Sequence, residues 1–428
     1  MNNNHSSSEL NYINRWQSDL VKNALSNYPV FIITGARQVG KSTFLKNDNN
    51  LKKWKYLSLD DFDLLSQAIN NPDSFWLDSD FLIIDESQKA PNLLSAIKKV
   101  VDQTNNKKQF IISGSANLLL TKKVNESLAG RAAYIVLPPM AYSEIRRESH
   151  NQTVEKLFSE KKLNNWSRNI SVGEILIRGF MPPLIRIKNI DDIPGWWESY
   201  TMTYLERDLR ELSQISSLID FRNLMKILAL RTGRVLNQSE VARDISISQP
   251  TSHRYINLLQ TSHIIELVPA YFRNRTKRLV KSPKVFWLDP SLPIFLAGYY
   301  DKESLENSRE YGFFYESLIY HHLKILAELL KPKARIYYWR TTSGQEVDFI
   351  IEHGNKVIAV EVKLADKIKY EDMKNLKIFI EEYPETLIGL VIYSGNELKQ
   401  LDNKIIAVPI SNIYRPVGLP GLDNINNK

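Results

Sequence analysis

At 428 residues the chain is long enough for about three domains, and its 43% apolar content is enough for buried cores. The formal charge of +8 favours an anionic partner such as nucleic acid without fixing one. With no cysteine, disulfides and thiolate metal sites are excluded. The start, Met1 to Glu9, is polar, and no apolar run approaches the ~20 residues of a membrane span, so the reading is a cytoplasmic protein with no membrane partner.

Residues 1–10 read as a tail. Tyr12 to Ser26 has the apolar spacing of an amphipathic helix, on which Arg15 is either a solvated charge or a phosphate contact. Val30-Phe31-Ile32-Ile33 reads as a buried strand. It runs into Gly35-Ala36-Arg37-Gln38-Val39-Gly40-Lys41-Ser42, a full G-x-x-x-x-G-K-[ST] match, and Thr43-Phe44-Leu45-Lys46 opens a helix behind it. Each part has a chemical reason. Gly35 and Gly40 free the backbone to wrap phosphates, and the loop amides with the helix start offer partial positive charge. Lys41 is placed to reach the β- and γ-phosphates and Ser42 to ligate Mg²⁺. Gly35 through Thr43 are therefore the candidate ATP-binding residues.

Lys55 to Leu59 is a second candidate strand. Phe81-Leu82-Ile83-Ile84-Asp85-Glu86 is an apolar strand ending in two carboxylates, the Walker B pattern. Asp85 would hold Mg²⁺ through water and Glu86 would polarise the attacking water, with Gln88 near enough to assist. Phe110 to Ile112 is a third apolar strand ending in Ser113-Gly114-Ser115, where Ser115 or Ser113 could orient that water. Arg131, in Leu128-Ala129-Gly130-Arg131, reads either as an arginine finger, in cis or in trans, or as a structural ion pair.

In this order, Gly35 to Ser42, Asp85-Glu86, Ser113-Gly114-Ser115 and Ser127 to Arg131 resemble the prokaryotic AAA+-type ATPases that carry a C-terminal domain of unknown function. Tyr134 to Glu144 is similar to the segment that closes their ATPase module. The resemblance implies an ATPase module and a homo-oligomer, a hexameric ring among its forms.

Residues 151–215 read as a helical linker. Within them, Trp196, Trp197, Tyr200, Tyr204 and Leu205 form a stripe suited to core or subunit contact. Helix candidates at Phe221 to Leu230, Ser239 to Asp244 and after Ser248, with Pro250 in the first turn, precede two apolar strands. The pattern looks like a winged helix-turn-helix. Its third helix would present Gln249, Thr251, Ser252, His253 and Arg254 to DNA. Arg273, Arg275, Lys277 and Arg278 belong to a stretch, Arg273 to Lys284, with six basic residues and no acidic one, which suits a phosphate backbone.

From Tyr311 a second α/β module follows: a helix, Gly312 to Leu330, then strands at Ile336, Glu346 and Val357. Asp348 and Glu361-x-Lys363 resemble the PD-(D/E)XK nuclease signature, with Glu316 as a further ligand of a second divalent metal. The proline before Asp348 is absent, and a retained fold without cutting stands level with cleavage.

The expected fold is thus α/β: an AAA+-like parallel P-loop sheet over 11–150, a winged helix over 216–295 and a restriction-endonuclease-like domain over 296–428. The expected function is an Mg²⁺-dependent ATPase that binds DNA and remodels or translocates it, branched DNA included. An ATP-gated metal-dependent nuclease and a nucleotide-switched interaction protein are the alternatives.

Overall fold

The computed structural model describes residues 12–114, 128–148, 153–159, 163, 168–208 and 215–414. Strands β1 (Val30–Thr34), β2 (Lys55–Ser58), β3 (Phe81–Asp85), β4 (Gln109–Ser113) and β5 (Ala132–Val136) form one sheet in the order β2-β3-β4-β1-β5. Every pairing is parallel, so all five C-terminal ends meet at one edge. The strands are continuous Val, Ile and Phe runs because both faces are covered. Phe31 and Ile33 pack with Phe44 and Leu45 of the helix Lys41–Asn47, while Val30 and Ile32 pack with Leu93 and Ile97 of the helix Leu93–Gln103.

The first helix is shorter than its apolar spacing predicts, Ser18–Leu25 rather than Tyr12 to Ser26. The backbone N–H of Trp16 donates to Glu144 Oε1 at 2.6 Å, which commits that group to a partner outside the helix.

Three helices, Leu218–Leu230, Gln238–Asp244 and Gln249–Thr261, precede an antiparallel pair, β6 (Ile265–Val268) and β7 (Lys284–Trp287). Each helix has a side-chain cap: Ser217 accepts from Asp220 N, Asn237 from Ser239 N and Ser248 from Thr251 N. Between β6 and β7 the chain does not extend as a free loop. Residues Arg275–Val280 form a short helix, and the chain before it joins the next sheet, Tyr271 N donating to Tyr338 O at 2.6 Å.

That sheet has six strands in the order β12-β13-β11-β10-β9-β8, with β8 (Arg335–Arg340), β9 (Glu346–His353), β10 (Lys356–Lys363), β11 (Thr386–Tyr393), β12 (Lys399–Asp402) and β13 (Ile405–Pro409). Alternation along β10 makes three layers. Ile358 and Val360 pack with the helix Tyr311–Leu329, and Val357 and Ala359 pack with the helix Lys374–Glu382. Among the described residues no helix is long and apolar enough to cross a membrane.

The parallel sheet and the three-helix unit share one core. A single apolar cluster runs from Phe31, Ala36 and Val39 through Trp197, Tyr200 and Tyr204 to Phe221, Tyr255 and Trp287. Trp197, 1% exposed, sits within it and donates from Nε1 to Ser291 Oγ at 2.9 Å. Trp197→Ala should cost about 3–5 kcal/mol. Urea unfolding followed by far-UV signal and by an N-terminal probe should shift both transitions together; a shift in one alone would contradict the shared core.

Candidate functional site

The phosphate-binding loop leaves the C-terminal end of β1. Gly35 holds φ +143°, and a Cβ there would lie 2.5 Å from Leu137 O, so no larger residue fits. The loop turns again at Gln38 (φ 64°) and Gly40 (φ 91°), and the next helix starts at Lys41. Ala36 and Val39 anchor the loop in the core, while Arg37, Gln38 and Thr43 are exposed. Lys41 is folded back on its own loop, Nζ donating to Gly35 O at 3.0 Å and Ala36 O at 2.9 Å. Burial pushes its ammonium down to about 8, against the pull of the Glu86 and Asp85 carboxylates.

Asp85 ends β3 and is buried. Because β4 lies between β1 and β3, Ser113 reaches Asp85 from β4 and donates to Oδ1. Tyr56 on β2 donates its phenol to Oδ2 of Asp85 and also meets the Ser42 hydroxyl. Tyr56 thus links the two residues expected to hold Mg²⁺, a role that nothing in its sequence context signals. A hydroxyl and a carboxylate are hard oxygen donors of the kind Mg²⁺ takes together with waters and phosphate oxygens, so the residues present fit that ion. Glu86 follows at φ 56°, with its carboxylate accepting from Gln88 Nε2. Ser115 lies outside the described residues.

Arg131 stands at the far end of the sheet. It precedes β5, and its carbonyl accepts from Val30 N at the start of β1. Its guanidinium binds Asp102 in bidentate fashion, at 2.6 and 3.0 Å. From that position it cannot reach the phosphate loop of its own chain.

Arg15 is neither a solvated charge nor a phosphate contact. It is buried, donating to Val39 O at 3.1 Å, Pro138 O at 2.7 Å and Glu144 Oε1 at 3.3 Å. It holds the loop from beneath. From the other side, Tyr200 donates to Arg37 O at 3.3 Å, and the Arg37 guanidinium lies 5.8 Å from the centre of the Tyr204 ring. Pro182 sits 3.5 Å from where a Gly40 Cβ would be. His263, beyond the helix Gln249–Thr261, is near enough to feel Lys41; burial first, and that ammonium second, push its imidazole down to about 4.

Residues 27–146 match the family model described as an AAA domain. The N-terminal unit is a P-loop ATPase-like domain. Residues 169–303 match a domain of unknown function (DUF8612), and residues 311–413 match another (DUF4143). An uncharacterized protein of Mycobacterium tuberculosis is 27% identical over 394 residues, covering 92% of this chain and 82% of its own length. One of Methanocaldococcus jannaschii is 22% identical over 388 residues, covering 86% and 82%. Among solved structures, the Walker-type ATPase of Pyrococcus abyssi aligns with 16% identity and a TM-score of 0.46, covering 67% of this chain and 96% of that one.

The residues expected to meet DNA divide. Gln249, His253 and Arg254 are exposed on one helix and Thr251 is half-buried, but Ser252 is fully buried and faces the core. Arg273, Arg275 and Lys277 are exposed. Arg278 is not available to DNA: it is buried against Tyr271 and Tyr337 and pairs with Glu352 at 2.8 and 3.0 Å.

The four residues expected to form a nuclease site come close together on β9, β10 and the helix Tyr311–Leu329. Asp348 Oδ2 accepts from Val362 N at 2.8 Å, and Glu361 Oε1 accepts from Lys363 Nζ at 2.8 Å. Glu316 is paired with Lys284, whose Nζ also lies 3.6 Å from Asp348 Oδ1. Burial pushes both Glu316 and Glu361 up, against the pull of Lys284 on the first and Lys363 on the second. Among the described residues no group of three or more His, Cys, Asp or Glu is arranged to hold a metal ion.

Two outcomes follow for the ATPase-like domain. Phosphates arriving at Lys41 raise its pKa again, so binding takes up a proton and affinity falls as pH rises through about 8. Calorimetry at that pH, in two buffers of unlike ionisation enthalpy, should report proton uptake; equal heats would contradict it. Arg15→Ala strands the Glu144 carboxylate, whose side chain is 0% exposed, and should cost about 3–5 kcal/mol in denaturant unfolding. A loss under about 1 kcal/mol, the worth of a surface pair, would contradict that role.

Proposed function

We propose that the chain is an Mg²⁺-dependent ATPase that binds DNA and uses ATP hydrolysis to remodel or translocate it, with branched DNA among the candidate substrates. The observation that carries the proposal is the convergence at one sheet edge of the Lys41 ammonium, the Ser42 hydroxyl and the buried Asp85. In this reading Lys41 leaves the Gly35 and Ala36 carbonyls and bridges the β- and γ-phosphates. Ser42 and Asp85 would hold Mg²⁺, which would offset the phosphate charge. Glu86 orients the attacking water and accepts its proton, while Gln88 positions the Glu86 carboxylate.

The DNA part rests on exposed Gln249, His253 and Arg254 on one helix and on exposed Arg273, Arg275 and Lys277 in the basic stretch. The helix bearing the first three ends two residues before His263, which lies within electrostatic reach of Lys41. Homo-oligomerisation belongs to the same proposal. Arg131, remote from its own loop, could serve only a neighbouring chain, after exchanging Asp102 for that chain's phosphates. A DNA partner also favours a cytoplasmic location.

The test measures ATP turnover on single-stranded, duplex and branched DNA at low salt. Turnover should rise with DNA; turnover indifferent to every DNA, with no DNA binding, would sink the proposal. Glu86→Gln should keep ATP binding and lower turnover by about 10²-fold or more. Arg254→Ala should weaken DNA binding across all sequences and lower the salt slope by about one.

A further inference from the structure

The hairpin β6–β7 and the C-terminal sheet are joined at one buried ammonium. Lys284, the first residue of β7, is 1% exposed. Its Nζ lies 2.9 Å from Glu316 Oε1, 2.6 Å from Glu346 Oε1 and 3.6 Å from Asp348 Oδ1. Glu346 and Asp348 stand two residues apart on β9, on one face of the strand, and Glu316 meets them from the helix Tyr311–Leu329. A lysine ammonium has three N–H donors, and three carboxylate oxygens surround this one.

Of the other oxygens nearby, Asp348 Oδ2 accepts from Val362 N and Glu361 Oε1 from Lys363, Glu346 Oε2 is 3.5 Å from Arg340 Nη1, and Glu361 Oε2 is buried without a hydrogen-bond partner. A divalent ion held by Glu316, Glu346 and Asp348 together needs oxygens at about 2.0–2.6 Å and would have to enter where Lys284 Nζ already sits.

We propose that the Lys284 ammonium is the resident cation of this carboxylate pocket, occupying the position a divalent metal would take, so that the C-terminal unit clamps the hairpin instead of cutting DNA. The clamp has a clear mechanical effect. Lys284 ties the C-terminal strand of the hairpin to β9. Arg278 with Glu352, and Tyr271 with Tyr338, tie the segment between the two hairpin strands to the same sheet. The basic stretch is therefore presented from a rigid mount.

The test uses the full-length chain without nucleotide. Wild type and Asp348→Asn should give the same Mn²⁺ titration by calorimetry or paramagnetic resonance, and neither should nick DNA in millimolar Mn²⁺. Lys284→Ala vacates the pocket. It should gain one bound Mn²⁺ per chain and a melting temperature that rises with Mn²⁺, both lost in the Lys284→Ala, Asp348→Asn double variant. Lys284→Arg should stay indifferent to Mn²⁺. Mn²⁺ binding or DNA cutting by the wild type that Asp348→Asn removes would overturn the proposal, as would a folded Lys284→Ala chain that Mn²⁺ leaves unchanged. Should Lys284→Ala fail to fold, the comparison of wild type with Asp348→Asn still decides.

Discussion

A guanidinium buried beneath the phosphate-binding loop ties the molecule together. Arg15 donates to the loop at Val39, to the exit of β5 at Pro138 and to the Glu144 carboxylate. Glu144 also accepts from the backbone N–H groups of Trp16 and Ala141. The next two residues continue the chain of contacts: Tyr142 N donates to His322 Nε2, and Ser143 Oγ donates to Tyr414 O. A line of hydrogen bonds thus runs from the loop to the helix Tyr311–Leu329 and to Tyr414, which pack on one face of the C-terminal sheet. In a low-dielectric interior, such a line holds its geometry because each broken link would strand a charge or a dipole.

The opposite side of the loop is covered by apolar and aromatic groups. Tyr200 and Tyr204 lie against Arg37, Pro182 lies against Gly40, and His263 stands near Lys41. With Lys41 turned onto the Gly35 and Ala36 carbonyls, the loop is satisfied by its own atoms. A triphosphate would replace the two carbonyls with anionic partners of Lys41, and a shift of Arg37 would act on Tyr200 and Tyr204, its contacts in the 193–208 segment. Coupling between nucleotide and a second ligand therefore has a short physical route.

Much of this was legible in the sequence wherever the signal was local. The G-x-x-x-x-G-K-S stretch between an apolar run and a helix is a short-range pattern, and the structure puts the loop there with glycines at positive φ. The Ser248 cap and Pro250 marked the start of their helix for the same reason. What escaped was long-range. Arg15 looked solvated because its partners are about 24 to 129 residues away, and no helical spacing encodes them. Arg278 and Lys284 looked like part of a basic wing because their carboxylate partners, Glu352 and Glu316 with Glu346, lie on later elements. Ser252 has a side chain able to bond bases, but its position on the helix turns it inward. Tyr56 gave no signal, since a tyrosine in a strand is ordinary and only the β2–β3 pairing brings it to Asp85.

The proposed coupling is tested most directly by the affinity for DNA with and without a non-hydrolysable ATP analogue, in the wild type and in Lys41→Ala. Linkage requires the reciprocal effect, so a nucleotide that engages the loop must shift DNA affinity in the wild type and leave Lys41→Ala unchanged. Identical DNA affinity in the presence and absence of an analogue that calorimetry shows to be bound would contradict it.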